Sequence, residues 1–226
     1  MPPNHKESKP IAALNHVVEQ PSRASAARLS LYLRCLESCR REGAETISSG
    51  RLADSLGIRD AQVRKDLACL GNLGQPGIGY RVNDLIKAIR EALGINREWK
   101  AILIGVGNLA RALLRYQGFQ EQGFQIIALF DSDPAKIGQK VENLIVQPLD
   151  KIHEIVRKNN AELALLTVPA ESANQVASLL QEAGIRGILN FAPTVLRLPS
   201  KVRLVNVDLA IQLEQLAFQV QIGESL

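Results

Sequence analysis

The sequence has few of the features that mark disulfide-rich, metal-binding or membrane proteins. It contains three cysteines, Cys35, Cys39 and Cys69, all within apolar, helix-like patterns, and no partner completes a metal-ligand set. We therefore expect reduced core thiols and no metal site. No apolar run approaches the length of about 20 residues that a membrane span needs, and the N-terminus lacks the apolar core of a signal peptide. We expect a soluble, cytoplasmic protein without a membrane partner.

The excess positive charge lies entirely in the first part of the chain. Residues 1–99 carry 15 Lys+Arg and 11 Asp+Glu, whereas residues 100–226 carry 12 of each. The length of 226 residues allows one large domain or two small ones, and the charge asymmetry favours two. A basic domain joined to a neutral one suggests that the first domain binds an anionic polymer.

Two short helices are predicted on either side of Gly57. The first is capped by Ser48 or Ser49, and the second runs from Asp60 to Leu70. This arrangement is typical of a helix-turn-helix motif, whose second helix enters the major groove of DNA. A helical hairpin with a solvated charged face is the alternative. The predicted DNA contacts on and beside the second helix are Ser49, Arg59, Gln62, Arg64 and Lys65.

A glycine-rich segment follows these helices. Residues 74–82 contain three glycines and a proline before a short alternating run, which predicts a β-hairpin, the wing of a winged helix. Tyr80 and Arg81 on this wing can meet phosphates or the minor groove. We therefore predict a disordered tail at 1–20, a winged-helix DNA-binding domain at 21–84, and a linker helix and join at 85–99.

The stretch from Ala101 to Asp131 has the order strand, tight turn, helix, strand. An apolar run leads into Gly105-x-Gly107-x-x-Ala110, and a second apolar run ends on Asp131, 21 positions past Ala110. This is the spacing of a dinucleotide-binding fingerprint. A glycine turn with a purely structural task is the alternative.

Each residue of this fingerprint has a physical task. Gly105 allows the sharp turn, and Gly107 leaves room for a pyrophosphate at the helix N-terminus. Ala110 lets the helix approach the sheet. Asp131 can accept hydrogen bonds from both ribose hydroxyls and would repel a 2′-phosphate, so we expect NAD and NADH as cofactors rather than NADP. Lys136 lies nearby, either paired with a phosphate or solvated.

The alternation of strands and helices continues beyond Asp131 and predicts an α/β fold with a Rossmann-like, doubly wound parallel sheet at 100–205. The carboxyl ends of its strands, where a ligand binds, include Thr167 to Pro169 and Asn190. The predicted cofactor-binding residues are Gly105, Val106, Gly107, Asn108, Leu109, Ala110, Asp131, Lys136, Thr167, Val168, Pro169 and Asn190.

The final predicted helix, from Val207 to Ile222, is apolar on more than one face. Such a helix needs more partner surface than one small domain offers, so we interpret residues 206–226 as a dimerisation element. Burial within its own subunit is the alternative.

Several short motifs follow one another along the chain. They are Leu31-Tyr-Leu-Arg34, Gln62-Val-Arg-Lys-Asp-Leu67, Gly77-Ile-Gly-Tyr80, Gly105-Val-Gly-Asn-Leu-Ala110, Tyr116-Gln-Gly-Phe119, Thr167-Val-Pro-Ala170, Asn190-Phe-Ala-Pro193 and Asn206-Val-Asp-Leu209. Together they resemble the Rex family of bacterial redox-sensing transcriptional repressors, and the resemblance covers residues from about 21 to 222.

The resemblance implies a homodimer whose winged helices bind a pseudo-palindromic, double-stranded operator. It also implies that the Rossmann domains sense the NADH/NAD ratio and that NADH releases the DNA. In the family the C-terminal helix is exchanged between subunits, as a domain swap. Residues matching Tyr116 and Asp208 take part in the switch near the nicotinamide.

Two other functions are alternatives to a sensor. An NAD-dependent oxidoreductase needs a positioned acid or base, but His153 is predicted on a crossover helix and Tyr116 is followed by Gln120 where a Tyr-x-x-x-Lys pair requires lysine. We therefore expect no catalytic residues and no enzyme activity. A CoA-binding domain can use a similar glycine turn for its diphosphate, although Asp131 argues against CoA.

Overall fold

The computed structural model describes residues 21–199 and 201–223, and its contacts divide the chain into two units after Asn96. The tail predicted at residues 1–20 lies outside the described residues.

The first unit is a winged helix. Its two-residue strand β1 pairs with β3, and β3 pairs with β2, both in antiparallel fashion. The predicted helix-turn-helix and wing are confirmed. The elements are α1 (Arg23–Arg41), β1 (Thr46–Ile47), α2 (Ser49–Asp54), α3 (Asp60–Ala68), β2 (Gly74–Gln75), β3 (Gly79–Arg81) and α4 (Val82–Ala92).

The core of this unit is formed by the apolar faces of its helices. Leu29, Leu33 and Leu36 recur at helical spacing along α1 and are buried. The buried side chains of α4 belong to the same core, so the helix predicted within the linker at 85–99 packs inside the first unit. The first unit therefore extends past residue 84, to Asn96.

The second unit is built on a seven-stranded sheet. It also contains a 3₁₀ turn at Leu149–Lys151. Its elements are β4 (Trp99–Ile104), α5 (Asn108–Arg115), α6 (Gly118–Glu121), β5 (Phe124–Asp131), β6 (Lys140–Val141), β7 (Leu144–Pro148), α7 (Ile152–Asn159), β8 (Leu163–Leu166), α8 (Ala170–Glu182), β9 (Gly187–Asn190), β10 (Arg203–Asn206) and α9 (Leu209–Gly223).

The strand order is β10-β9-β8-β4-β5-β7-β6, and every pair is parallel except β6 with β7. From the central strand β4 the chain first builds outward through β5 and β7, and then returns to β8 on the other side of β4. Helices α7 and α8 cover one face of the sheet, and α5 and α6 cover the other. The predicted doubly wound sheet is confirmed, with its switch point between β4 and β8.

The last helix, α9, begins at Leu209, two residues later than predicted. Every side chain from Leu209 to Ile222 is exposed in the single chain. The apolar residues of α9 are therefore not buried within their own subunit, which was the alternative considered from sequence. None of the helices in the described part of the chain is long and apolar enough to span a membrane.

Candidate functional sites

A cleft of about 1020 Å³ opens in the second unit, where β4, β5 and β8 end. Parallel sheets bind ligands at the carboxyl ends of their strands, and this cleft lies at the switch point of the strand order. Ser132 and Asp133 also line the cleft. The predicted cofactor residues in its lining are Gly105, Gly107, Asp131, Lys136, Thr167, Val168 and Pro169.

The two glycines of the turn are needed for different reasons. Gly105 has a φ of 90°, and a Cβ built on it would lie 2.7 Å from the carbonyl oxygen of Thr167. Gly107 has a φ of −100°, and a Cβ there would meet nothing within 4 Å. Gly105 is thus required by the fold, whereas Gly107 faces open space in the cleft.

The N-terminus of α5 is available to an anion. Gly107 is the N-cap residue and no side chain caps this helix end, so the first-turn amides and the positive end of the helix dipole are open to a ligand. Asn108 and Leu109 are exposed there, while Ala110 is fully buried against the sheet. The hydroxyl of Thr167 lies 2.8 Å from the carbonyl oxygen of Gly105 and donates to it, which steadies the turn.

The carboxylate of Asp131 already has partners within the protein. Oδ2 accepts hydrogen bonds from the Val106 amide (2.7 Å) and from Lys136 Nζ (3.0 Å), and Oδ1 accepts one from the Asp133 amide (2.9 Å). Burial acts to raise the pKa of Asp131, but the hydrogen bonds from Asp133, Val106 and Lys136 outweigh it and hold this pKa below its ordinary value.

Asp131 therefore differs from its expected state as an open acceptor for two ribose hydroxyls. A carboxylate offers about four acceptor positions, and three are used here, so one is left for a ligand. Its charge is paired with that of Lys136. A 2′-phosphate at this position would therefore meet the charges of the pair rather than that of Asp131 alone.

Asn190 lies outside the lining of this cleft, although it was predicted to bind the cofactor. Its side chain is 1% exposed and donates to the carbonyl oxygens of Ala192 and Thr194 and to the side chain of Asn206. An asparagine at a strand end can serve the backbone as readily as a ligand. Here its contacts join the loop after β9 to β10.

The two predicted switch residues have defined local contacts. Tyr116 is 51% exposed, and its ring meets that of Phe119 edge to face at a centroid distance of 5.2 Å. A Cβ on Gly118 would lie 2.5 Å from the Tyr116 ring, so the ring occupies the space that a side chain would fill. Asp208 Oδ1 accepts hydrogen bonds from the amides of Ala210 and Ile211 and thereby caps α9.

The first unit presents a polar surface on α3 and the wing. Arg59, Arg64 and Lys65 are exposed, and Arg64 pairs with Asp60 and lies 3.4 Å from the Ser49 hydroxyl. On the wing, Arg81 is exposed. The Tyr80 ring is half-buried over Gly74, and Gln62 donates to Asp66.

A buried charge cluster behind α3 was missed from sequence. Asp66 is 3% exposed and accepts from Arg28 and Tyr32 of α1. Burial acts to raise the pKa of Asp66, but these hydrogen bonds outweigh it and lower the pKa. Burial and the hydrogen bond to Asp66 raise the pKa of Tyr32 to about 12. The sequence signal that could have revealed this cluster is the position of Asp66, a charged residue that shares one face of α3 with the apolar residues Val63 and Leu67.

An apolar groove of about 330 Å³ was also missed. It lies over the sheet face formed by β4, β5, β8, β9 and β10, where α6 leaves part of the sheet uncovered. The predominantly apolar lining includes Phe119, Phe124, Ile126, Leu163, Leu165, Ile188, Leu189 and Val205.

Known families match both units. The family "Putative DNA-binding protein N-terminus" matches residues 22–68, and the family "CoA binding domain" matches residues 96–194. Together with the winged helix and the glycine-turn cleft, these matches define a two-domain protein that joins a DNA-binding fold to a nucleotide-binding fold.

Relatives named redox-sensing transcriptional repressor Rex extend over most of the chain. The protein from Carboxydothermus hydrogenoformans is 47% identical over 88% of this chain and 95% of its own length. The protein from Desulfitobacterium hafniense is 46% identical, covering 87% and 94%. The chain therefore belongs to the Rex family of redox-sensing transcriptional repressors, as the sequence motifs indicated.

Solved structures of the family have the same fold. The Rex-family repressor RSP in complex with β-NAD⁺ and operator DNA has a TM-score of 0.85 at 32% identity, covering 90% of this chain and 94% of its own. RSP in complex with β-NADH has a TM-score of 0.81 at 31% identity, covering 90% and 96%.

Proposed function

We propose that this chain is a homodimeric repressor that binds operator DNA when NADH is scarce and leaves it when NADH binds. The observation that carries this proposal is that one chain contains both kinds of site. The second unit has a cleft at the switch point of its sheet, with the N-terminus of α5 open to a ligand. The first unit has a basic, exposed helix α3 beside a wing. The binding of NAD⁺, NADH and operator DNA by RSP supports it.

The cleft residues fit a dinucleotide. The amides that begin α5 and the open space at Gly107 suit a pyrophosphate, since both favour a close-approaching anion. Asp131 and Lys136 then lie on the adenosine side, with Asp131 accepting one ribose hydroxyl and Lys136 adding a positive charge. Thr167, Val168 and Pro169 line the opposite wall. When bound, the nicotinamide supplies the redox-dependent charge and shape that the protein senses.

The DNA contacts are assigned to α3 and the wing. Arg64 and Lys65 project from α3, and an arginine in the major groove reads guanine by a bidentate contact. Arg59, Ser49 and Arg81 flank them and suit phosphate oxygens. Gln62 and Tyr80 complete the surface, held by Asp66 and Gly74 respectively.

The exposed helix α9 and the apolar groove together support a dimer. Leu213, Leu216 and Val220 are 54–67% exposed, and burying such side chains gives about 1.5–3 kcal/mol each. The groove over β8 and β9 is apolar, which suits a helix of this composition. We therefore assign α9 of each subunit to the groove of the other, as a domain swap.

We assign the first unit to a DNA-binding domain. We divide the second unit into a nucleotide domain that ends near residue 205 and a dimerisation helix. Tyr116 and Asp208 act as switch residues, and no substrate is turned over. The naming of the relatives as repressors supports a regulator rather than an oxidoreductase.

The test is a mobility-shift titration of an operator selected from a random library, with NADH, NAD⁺, NADPH and CoA added separately. We expect NADH to release the DNA at concentrations where NAD⁺ does not. The Arg64→Ala variant should lose about 1–3 kcal/mol of binding and relax the sequence preference, whereas Lys158→Ala on α7 should bind normally. Operator binding that is unaffected by all four nucleotides would contradict the proposal.

CoA is the second candidate ligand, because the match to the CoA binding domain family covers the cleft. Lys136 balances the charge of Asp131, so a ligand phosphate beside the pair would not meet an unpaired negative charge. Release of the operator by CoA at lower concentrations than NADH would favour this second function.

A further inference from the structure

Asp66 occupies a core position although it is charged. It lies on the same face of α3 as Val63 and Leu67, and it is 3% exposed. An ionised carboxylate is costly to bury unless its oxygens are satisfied by donors. The hydrogen-bond donors around Asp66 therefore show how the buried carboxylate is stabilised and which side chains it orients.

Each carboxylate oxygen of Asp66 accepts two hydrogen bonds. Arg28 binds both oxygens, with Nε at 2.6 Å from Oδ2 and Nη2 at 2.7 Å from Oδ1. The Tyr32 hydroxyl donates to Oδ2 at 2.8 Å, and Gln62 Nε2 donates to Oδ1 at 3.1 Å. Arg28 and Tyr32 belong to α1, so α1 holds the carboxylate in place. Gln62 is the partner one turn earlier on α3.

This contact determines how the Gln62 amide is turned. An ionised carboxylate has no hydrogen to donate, so it can bind only the NH₂ end of the amide. The carbonyl oxygen Oε1 of Gln62 must then point away from Asp66. A glutamine without such a partner can rotate its amide and offer either a donor or an acceptor to a ligand.

We propose that Asp66 is a positioning residue that makes Gln62 read an exocyclic amino group in the major groove. This inference rests on the proposed function, in which α3 enters that groove. Adenine N6 and cytosine N4 are donors there, whereas guanine O6 and thymine O4 are acceptors. Gln62 with Oε1 turned outward favours adenine or cytosine, on one strand, at one position of each half-site. The second Nε2 hydrogen stays available to a neighbouring acceptor such as adenine N7.

The test uses the full chain and operator variants in which each half-site base is changed in turn. The wild type should favour amino bases over keto bases by about tenfold at one position. In Asp66→Asn the new amide can donate to Gln62, so Gln62 can flip and this preference should fall to about twofold or less. The double variant Asp66→Asn/Gln62→Glu should recover it, because a carboxylate at position 62 can only accept.

The double variant separates positioning from stability, since both variants carry the same change at position 66. Asp66→Asn retaining the wild-type preference, or no recovery in the double variant, would overturn the inference. If Asp66→Asn does not fold, as judged by its thermal transition, Gln62→Met decides. Gln62→Met tests the base contact of Gln62, on which the positioning role of Asp66 depends. Loss of the amino-base preference supports that contact, and an unchanged preference overturns the inference.

Failure of the inference and failure of the proposed function give different results. A wild-type protein that selects no operator contradicts both. A wild-type protein that binds a specific operator, with base preferences that these substitutions leave unchanged, contradicts the role of Asp66 alone.

Discussion

At the scale of single residues, the two glycines of the β4–α5 turn are under different structural constraints. Gly105 and Gly107 are two positions apart in the same turn, yet Gly105 combines a left-handed φ with close contact to the β8 end, and Gly107 has ordinary dihedrals and open space. The fold thus accounts for the first glycine, and the proposed pyrophosphate contact would account for the second.

This contrast gives a matched pair of substitutions. Gly105→Ala should lower the free energy of unfolding by about 2–4 kcal/mol, because the methyl group adds backbone strain and collides with Thr167. Gly107→Ala should change it by less than about 0.5 kcal/mol but weaken NADH binding roughly tenfold. Urea denaturation and calorimetry measure the two effects. Unchanged NADH affinity in a folded Gly107→Ala protein would place the pyrophosphate elsewhere.

Asp131 illustrates how a local motif can be completed in an unexpected way. Its spacing after Ala110 predicted an acceptor for the ribose, but its carboxylate also bonds the Val106 amide of the glycine turn. Asp131 therefore holds the turn to the end of β5, and Lys136 balances its charge. Substitutions at Asp131 will alter the turn as well as the nucleotide contact.

At the scale of elements, α9 differs from the other long helices among the described residues. The other long helices bury one face, whereas α9 carries apolar side chains on two faces and buries none of them in the single chain. The sheet face beside α6 has an apolar groove that none of the described helices of the single chain covers. Among the described residues of the single chain neither the apolar faces of the helix nor the groove is covered, and the proposed dimer would cover both.

Leu213→Asp should therefore dissociate the dimer at micromolar concentration, because it places a charge in an apolar interface. Val205→Glu, at the edge of the groove, should act in the same direction. Gln215→Glu on the polar side of α9 is the matched control and should stay dimeric. Sedimentation velocity measures all three, and a wild-type protein that sediments as a monomer would rule out the exchanged helix.

At the scale of the whole molecule, the proposed function requires the binding of NADH and the binding of operator DNA to be thermodynamically coupled. A ligand shifts a conformational equilibrium only through its differential affinity for the two states, and the resulting coupling is reciprocal. The factor by which NADH lowers operator affinity must equal the factor by which the operator lowers NADH affinity. Such couplings are typically worth about 1–3 kcal/mol.

Tyr116 is the residue at which this coupling can be probed. Tyr116→Phe keeps the ring over Gly118 and removes the hydroxyl, so NADH affinity of the free protein should change by less than about twofold while the coupling falls. Asp208→Ala should also reduce the coupling. Gly118→Ala, which displaces the ring, should lower it as well. Calorimetric titration of NADH with and without saturating operator gives the coupling directly, and equal NADH affinity in both titrations would exclude a switch.

The sequence by itself determined the features that depend on neighbouring residues. The helix-turn-helix, the wing, the glycine turn and the order of strands and helices follow from apolar periodicity, cap residues and glycines that permit sharp turns. These signals are local, because each is read within about a dozen positions of the chain.

Only the tertiary structure decided which distant groups became partners. Asp66 meets Arg28 across 38 positions, Asp131 meets Val106 across 25, and Asn190 turns into the loop before β10 instead of toward the cleft. The uncovered groove likewise depends on the strand order, since β8 lies beside β4 although three strands intervene in sequence. Such contacts arise from packing between segments that are remote in sequence. The periodicity of apolar residues does not predict which donor will face a given acceptor.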